Sequence, residues 1–356
     1  MSKSLRIAIV SPFPPPYGGM AIQAEKLLTL LTKSGVQVIP VRTNVDFPRN
    51  IAFVLKIKGV RTLVNTFLFL NSLHKALPRV DTVYFLTGFF NFFFWITYPA
   101  LLLIRMHRKK VILSAHGGAA GIFFQKYGFL IWPILKTVKT FTTPSGFLRD
   151  AFWEAFKVET KIIPNITDLD RFQFRERRHV RPRLLVTRSL EKIYNVQCVI
   201  NAFKLVHARF PDSILGIAGD GSERRYLEKL VSCLNLSSCV RFYGSVDHAT
   251  IHDLYDHYDI LVNASHRDNQ PLAIIEAFAS GLPVVSTGSG GIPYMLEDGI
   301  TGLLVKVGDC EALAKKVIEI VENPQLSLSL ARNARAKSHE YSWQHVKNLL
   351  LPLFAS

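Results

Sequence analysis

One stretch of sequence decides the fold: residues 259–286, which read DILVNASHRDNQPLAIIEAFASGLPVVS. Ile260–Asn263 is a short apolar run rich in β-branched residues, which predicts a buried strand. Pro271–Ser280 has helical spacing and ends at Gly281, a residue that commonly terminates helices. Pro283–Ser286 predicts the next strand. A buried strand, a helix and a second buried strand in 28 residues indicate a parallel sheet covered by helices.

The same alternation extends in both directions from this stretch. Four more strands are predicted in the second half of the chain: Arg183–Thr187, Ser213–Ala218, Val240–Tyr243 and Gly302–Val305. Another is predicted near the beginning of the chain, Leu5–Val10. Helices are predicted between them, among them Val196–Ala208, Glu223–Cys233, His248–His257 and Glu311–Val321. In the first half, helix Ala21–Ser34 precedes strand Val36–Val41. We therefore predict two doubly wound, Rossmann-like α/β domains that face each other, with the ligand in the cleft between them, at the carboxyl ends of the strands.

The length of 356 residues also favours two domains. We assign residues 1–172 to an N-terminal acceptor-binding domain and residues 173–342 to a C-terminal donor-binding domain. A C-terminal helix, 343–356, is expected to pack back on the first domain. The Arg-rich segment Arg171–Arg183 is the predicted linker. Asp168-Leu-Asp170, just before it, is interpreted as a turn and not as a metal site, and no metal is expected.

Charge divides the chain into two unlike halves. Met1–Gln173 has 22 Lys+Arg and 8 Asp+Glu, a net +14, whereas the remainder has 21 and 19, a net +2. An anionic partner is therefore expected to meet the first half. Four cysteines all lie in the second half and lack metal-site spacing, so we interpret them as reduced thiols of a cytosolic protein (Cys198, Cys233, Cys239, Cys310).

Val83–Ile104 is an apolar run of 22 residues without a charged side chain, followed by a basic cluster. Its length allows a transmembrane helix. Gly88 and Pro99 favour the alternative, a buried strand, a turn and a helix. Aromatic residues at 89–95 and a second apolar patch at 122–132 with nearby lysines are typical of an interfacial membrane contact. We expect peripheral binding to an anionic membrane surface at its cytoplasmic face, and no nucleic-acid partner.

Glycines and a histidine mark candidate ligand sites in the first half. Gly18 and Gly19 lie between the first strand and the next helix, where backbone N–H groups can approach a phosphate, although Gly-Gly also forms plain turns. His116 and Gly117 follow a predicted strand. A histidine at the carboxyl end of a strand can contact a ligand, and a structural histidine is the alternative.

In the second half, Arg188 and Lys192 follow a strand and form a candidate diphosphate site, with a solvated loop as the alternative. Glu276 lies among apolar residues and needs a partner if buried, which the hydroxyls of a ribose would supply. Asp268 precedes it in a loop. Gly290 and Gly291 follow another strand and offer a second place for phosphate.

These pieces, in this order, resemble the retaining glycosyltransferases of family 4, which have the GT-B fold. The similarity runs from Ile7 to Val305. It is carried by seven motifs: Pro16–Gly19, His116–Gly117, Ile163–Phe172, Arg188, Asp268–Glu276, Glu276–Val285 and Gly290–Pro293. Four positions depart from the family pattern. Asp268 replaces a glutamate, and Thr187 precedes Arg188 in place of glycine. Ile193 follows Lys192, and Ile166 follows Asn165, each in place of glycine.

The resemblance implies transfer of a sugar from a nucleotide diphosphate sugar with retention of configuration and without a cofactor or metal. Glu276 would then hold the ribose. Arg188 and Lys192 would neutralise the diphosphate, and Asp268 and His116 would contact the donor sugar. Backbone groups of four glycines would approach the phosphate or the sugar (Gly18, Gly19, Gly290, Gly291). The leaving diphosphate would assist removal of the acceptor proton, so no general base is assigned.

We therefore expect a membrane-peripheral glycosyltransferase that acts on a lipid-linked or membrane-surface glycan in cell-surface polysaccharide synthesis. Two alternatives remain from the sequence. One is a nucleotide-sugar epimerase or phosphorylase with the same fold. The other is a non-catalytic partner that binds the membrane and a true transferase.

Overall fold

The computed structural model describes residues 5–15, 18–45, 58–247 and 250–355. The chain separates into two compact units. Unit 1 consists of Met1–Ile166 with Trp343–Ser356, and unit 2 consists of Thr167–Ser342. The division falls between Ile166 and Thr167, whereas the sequence placed it after Phe172.

Unit 1 contains a six-stranded parallel sheet of order β2-β1-β3-β4-β5-β6. Its strands are β1 Arg6–Ser11, β2 Gln37–Arg42, β3 Thr82–Thr87, β4 Lys110–Ala115, β5 Thr140–Thr143 and β6 Lys161–Ile162. Its helices are α1 Gly19–Lys33, α2 Lys58–Ala76, α3 Tyr98–Met106, α4 Ala120–Leu135, α5 Gly146–Phe156 and α12 Trp343–Ala355.

Alternating strand residues divide the core of unit 1 between the two faces of its sheet, as the two-residue period of a strand requires. Ile7 and Ile9 pack with α1 and α12, and the latter contributes Val346, Leu350, Leu353 and Phe354. Ala8 and Val10 point to the opposite face, where helices α2 to α5 pack. Helix α12 thus completes a core whose other parts come from residues before Ile166.

Unit 2 repeats the architecture with a parallel sheet of order β12-β11-β10-β7-β8-β9. Its strands are β7 Arg183–Thr187, β8 Ile214–Ala218, β9 Val240–Gly244, β10 Ile260–Asn263, β11 Val284–Thr287 and β12 Leu303–Val305. Its helices are α6 Val196–Arg209, α7 Arg224–Cys233, α8 Ile251–His257, α9 Leu272–Ser280, α10 Cys310–Glu322 and α11 Pro324–Ser338. The predicted fold class, two Rossmann-like α/β domains, is confirmed.

The apolar run at 83–104 forms a buried strand and a helix. All six residues of β3 are buried. One π-helical turn, Phe93–Thr97, then leads into α3, which has only nine residues. Among the described residues, no helix combines the length and the apolar composition needed to cross a bilayer.

Two of the four cysteines depart from the expectation of reduced thiols. Cys198 on α6 and Cys310 at the start of α10 form a disulfide, with their Cα atoms 5.2 Å apart. The expectation failed for this pair because the two residues are 112 positions apart in sequence and meet only through helix packing. Cys233 and Cys239 are free thiols.

The Arg-rich segment predicted as a linker is bound to unit 2. Three arginines of this segment surround Asp259, whose side chain is only 2% exposed (Arg175, Arg177, Arg181). Arg177 is itself buried and also donates to the carbonyl oxygens of Ser280 and Tyr255, both at 2.7 Å. Burial lowers the pKa of Arg177 to about 10, which leaves it charged at neutral pH. The segment therefore behaves as part of the folded unit.

Candidate active site

Two predicted donor-site residues meet directly at the carboxyl ends of strands in unit 2. Arg188 follows β7, Asp268 lies in the loop after β10, and their side chains form an ion pair. The Arg188 guanidinium also lies 4.1 Å from the centre of the Tyr194 ring, in a cation–π contact. Both charged side chains are largely buried. A diphosphate bound by Arg188 would therefore compete with Asp268 for the guanidinium.

Gly290 and Gly291 have a steric reason to be glycine. A Cβ atom on Gly290 would lie 2.1 Å from the Asp268 carbonyl oxygen, and one on Gly291 would lie 2.0 Å from that of Asn269. The Gly291 N–H donates to the Asp268 carbonyl oxygen at 2.8 Å. Gly290 also has a φ of +56°, which favours glycine. These two glycines thus hold the loop that carries Asp268, and a 3₁₀ turn, Ile292–Tyr294, follows them.

Glu276 is buried on α9, so its carboxylate needs a partner. Its Oε2 accepts a hydrogen bond from the Tyr255 hydroxyl at 2.8 Å. Tyr255 is fully buried, and burial together with the nearby carboxylate raises its pKa well above the ordinary value. Tyr255 therefore stays protonated and donates to Glu276. Its hydroxyl also lies 2.9 Å from Thr187 Oγ1 at the end of β7.

Lys192 lies two residues before Tyr194, whose ring the Arg188 guanidinium contacts. It begins the 3₁₀ turn Lys192–Tyr194 and is exposed. It lines a cavity of about 520 Å³ together with Glu223, Tyr226 and His266. The cavity gives Lys192 room to approach a ligand.

In unit 1, His116 directly follows β4 and is held by a hydrogen-bonded chain. Its Nε2 lies 3.0 Å from Ser114 Oγ, and the Tyr84 hydroxyl donates to the same oxygen at 3.2 Å. The Tyr84 ring packs edge-on against Phe354 of α12. Burial lowers the pKa of His116 to about 4, so the imidazole is neutral at pH 7.

Gly18 and Gly19 differ from the glycines of unit 2. Gly18 caps α1 and Gly19 is its first residue. A Cβ atom on either would meet nothing within 4 Å, and neither has a positive φ. Protein packing therefore gives no reason for glycine here. Open space in front of a helix N-terminus is what the approach of an anionic ligand would use.

Unit 2 thus brings together four of the predicted residues: Arg188, Asp268, Gly290 and Gly291. Glu276 is connected to the end of β7 by the Tyr255 hydroxyl, which forms hydrogen bonds with both Glu276 and Thr187. The sequence did not identify Tyr255, Tyr194, Ser114 or Tyr84 as site residues. Tyr255 shows only the apolar spacing of an ordinary core residue on α8. Ser114 carried a usable signal, because a polar residue two positions from His116 shares its face of the strand.

Solved structures show which class of fold this is. Sucrose-phosphate synthase from Thermosynechococcus elongatus superposes with a TM-score of 0.76 over 99% of both chains, at 20% sequence identity. The chain has the GT-B fold, with two Rossmann-like domains.

The family follows from the sequence of unit 2. Residues 170–337 match the family model of the glycosyl transferases, group 1, and this match covers nearly all of the unit. Unit 2 is thus identified as a group 1 glycosyl transferase domain.

Two curated relatives agree with this family. A glycogen synthase of Mycobacterium tuberculosis is 26% identical over 269 residues, which cover 70% of this chain and 64% of the relative. The lipopolysaccharide core biosynthesis glycosyltransferase LpsE of Rhizobium meliloti is 35% identical over 150 residues, 42% of this chain and 44% of the relative. The chain therefore spans less than two thirds of the length of either relative.

Proposed function

We propose that this chain is a retaining glycosyltransferase of family 4, which moves a sugar from a nucleotide diphosphate sugar to a lipid-linked or membrane-surface glycan. The observation that carries the proposal is the arrangement in unit 2. Arg188 and Asp268 are paired at the carboxyl ends of β7 and β10, and the buried Glu276 is oriented by Tyr255. All four residues lie in the stretch that matches the family.

The donor is held by unit 2 in this proposal. Glu276 accepts hydrogen bonds from the ribose hydroxyls, and Tyr255 fixes the orientation of its carboxylate. Arg188 and Lys192 neutralise the charge that develops on the diphosphate as the bond to the sugar breaks. When Arg188 turns to the diphosphate, Asp268 is released from its ion pair and can accept from the sugar hydroxyls. Although its side chain is shorter than that of glutamate, Asp268 reaches the Arg188 guanidinium, so its carboxylate lies next to the group proposed to bind the diphosphate.

Unit 1 contributes the acceptor side and His116. Since His116 is neutral at pH 7, it contacts the sugar as a hydrogen-bonding group and not as a cation. The N-terminus of α1 with Gly18 and Gly19 offers backbone N–H groups to donor phosphate. The resemblance of the chain to retaining enzymes leaves removal of the acceptor proton to the leaving diphosphate.

The membrane part of the proposal rests on the α2–α5 layer, defined as helices α2, α3, α4 and α5 with the π-helical turn before α3. Large apolar side chains of this layer are exposed, most strongly Phe129 at 98%, Met106 at 78% and Phe67 at 70%. Residues 58–157 contain 13 Lys+Arg and only 3 Asp+Glu. Exposed aromatic residues among cations favour contact with an anionic lipid surface. The related LpsE, named for lipopolysaccharide core biosynthesis, is consistent with an acceptor at such a surface.

A thermal-shift screen against UDP-, GDP- and ADP-sugars tests the donor half, since ligand binding to the native state raises the apparent melting temperature. One donor is expected to raise it, and Glu276→Ala is expected to abolish that shift. Glu297→Ala, at an exposed glutamate of the same unit, is the matched control. Sugar transfer that continues undiminished in Glu276→Ala would contradict the proposed donor site.

A further inference from the structure

The aromatic ring of Tyr194 lies against Arg188 at the carboxyl end of β7. The guanidinium carbon is 4.1 Å from the centre of the ring. The Arg188 side chain is only 13% exposed, so this contact is largely shielded from water. A cation–π contact becomes stronger as water is removed from it. Tyr194 is therefore placed to hold the guanidinium in position.

The backbone of Arg188 is fixed between two strands. Its N–H donates to the Ala218 carbonyl oxygen at the end of β8, at 3.0 Å. A Cβ atom on Gly219 would overlap the Arg188 carbonyl oxygen, so the close approach of the two loops requires glycine there. The base of the Arg188 side chain therefore has a defined place from which to reach the Tyr194 ring.

The turn that carries Tyr194 is bound to the loop that carries Asp268. Tyr194 is the last residue of the 3₁₀ turn Lys192–Tyr194. The Ile193 carbonyl oxygen in this turn accepts a hydrogen bond from the His266 N–H at 2.8 Å. His266 comes two residues before Asp268. The aromatic ring and the Asp268 carboxylate are thus carried by segments that are hydrogen-bonded to each other.

The Arg188 guanidinium has a donor that points to a ligand. Asp268 accepts from Nη2. Arg188 Nε is buried, and it has no hydrogen-bond partner among the residues that the structure describes. A buried donor without an acceptor is costly, so this atom marks a place for an acceptor from outside the chain. Because the N–H groups of a guanidinium lie in its plane, an aromatic ring stacked on its face leaves them available.

Asp268 and Tyr194 therefore act on the guanidinium in different ways. Asp268 competes with a bound diphosphate, because both are anions that accept from the same donors. Tyr194 does not compete, because the attraction between a cation and the face of a ring uses no oxygen acceptor. The ring can hold Arg188 in one place while the guanidinium exchanges Asp268 for a diphosphate.

We propose that Tyr194 is a positioning residue, whose ring holds the Arg188 guanidinium where it binds the diphosphate of the donor. The assignment rests on the proposed function, which supplies the diphosphate. It adds a residue that acts on the donor only through Arg188.

Calorimetric titration with UDP, GDP and ADP tests the proposal without any transfer assay. Tyr194→Leu is expected to weaken binding of the nucleoside diphosphate by about ten-fold, because it removes a cation–π contact that is shielded from water. Tyr194→Phe keeps the ring and is expected to bind within about two-fold of the wild type.

A double-mutant cycle tests whether Tyr194 acts through Arg188. Arg188→Met removes the guanidinium and is expected to weaken binding by itself. Adding Tyr194→Leu is then expected to cause no further loss, since the contact is already gone. If Tyr194 only kept its turn folded, the same loss would occur in both backgrounds. Thermal shift at millimolar nucleotide keeps weak binding measurable.

Phe210→Leu is the matched control. Its ring also makes a cation–π contact, with the Arg209 guanidinium carbon 5.8 Å from the ring centre. Phe210 lies between the end of α6 and the start of β8, at the opposite end of the sheet from Arg188. The affinity of this variant for nucleotide is expected to stay at the wild-type value. Melting temperatures without nucleotide identify a change in folding in each variant.

Three results would overturn the proposal: unchanged affinity in Tyr194→Leu, equal losses in Tyr194→Leu and Tyr194→Phe, or the same loss from Tyr194→Leu with and without Arg188. The second result would assign the effect to the hydroxyl and not to the ring. Failure of the proposed function is separable, because it appears as a wild-type protein that binds none of the three diphosphates, and it would remove the Tyr194 assignment as well. The three results concern a wild-type protein that binds one of them.

Discussion

Unit 1 and unit 2 have the same six-stranded parallel architecture and opposite surface chemistry. Unit 1 has 22 Lys+Arg and 6 Asp+Glu, a net +16, whereas unit 2 has 21 of each, a net charge of zero. Ten large apolar side chains are exposed between Val60 and Trp153 alone, against six in the whole of unit 2 among the described residues. Two units with the same fold can therefore carry surfaces that suit different binding partners.

The units also differ in the burial of their ion pairs. This difference predicts the largest effect of a single substitution on the free energy of unfolding. Asp259→Asn in unit 2 is expected to lower the free energy of unfolding by about 3–5 kcal/mol, because it leaves the buried Arg177 without its carboxylate. Asp81→Asn in unit 1 removes a partly exposed pair with Arg6 and is expected to cost much less than Asp259→Asn, because water screens an exposed pair. Urea denaturation measures both. Similar losses in the two variants would contradict the difference.

Charge reversal tests whether the net charge of unit 1 serves a membrane. The triple variant Lys126→Glu, Lys136→Glu, Lys139→Glu is expected to weaken binding to anionic vesicles by roughly 100-fold, at about 1 kcal/mol for each lysine near the surface. Vesicle flotation at low and high salt provides the measurement.

Three exposed lysines of unit 2 form the control for this variant: Lys204→Glu, Lys229→Glu, Lys315→Glu. The control changes the net charge of the protein by the same amount and is expected to retain binding. Loss of binding in both would show that total charge, and not the surface of unit 1, drives association.

Glu276→Gln is expected to reduce kcat/KM for sugar transfer by about 30-fold, since a hydrogen bond to a charged group contributes about 2 kcal/mol. The side-chain shape is kept, so Tyr255 retains a partner. Glu297→Gln is the control. Undiminished sugar transfer in Glu276→Gln would refute the donor role, whatever its effect on vesicle binding.

Phe129→Ala sharpens the assignment of the membrane surface to α4. Burying a phenylalanine side chain contributes about 1.5 kcal/mol or more, so vesicle binding is expected to fall by about ten-fold or more. Tyr226→Ala, at a half-exposed aromatic residue of unit 2, is expected to have no effect. If Phe129→Ala bound vesicles with unchanged affinity, the membrane contact would be assigned to α2 or α3 instead of α4.

The smallest expected effect concerns pH. The pKa of His116 is about 4 in the folded protein and about 6.5 when unfolded. The unfolded state therefore binds more protons between these values, and stability is lost as pH falls through this window. Because His116 is partly exposed, we expect about 1 kcal/mol between pH 6.5 and about pH 5. His116→Gln should flatten this slope in urea denaturation measured across the pH window.

The sequence predicted strands and helices well where local signals were sufficient. Short apolar runs identified β1, β7 and β10, because a fully buried parallel strand has a near-continuous apolar sequence. Pro271 and Gly281 indicated the ends of α9 within one residue. Helix α11 was missed, since its apolar residues are sparse.

The pairings at the site were beyond sequence analysis because they depend on how distant segments approach. Arg188 and Asp268 were each selected, but their ion pair joins loops 80 positions apart. Tyr255 looked like an ordinary apolar core residue until α8 and α9 brought its hydroxyl to Glu276. Gly290 and Gly291 were predicted to face phosphate, and their nearest neighbours prove to be backbone carbonyls. Local pattern selects residue types, whereas partners come from packing.

Helix α12 has a consequence for the order of folding during synthesis. Its four buried residues belong to the core of unit 1, yet they follow all of unit 2 along the chain. During synthesis, the whole of Thr167–Ser342 therefore emerges from the ribosome before α12, the helix that completes the core of unit 1. Unit 2 can reach its native state first, while the apolar surface awaiting α12 stays uncovered. For that interval unit 1 is the part of the chain exposed to chaperones and proteases.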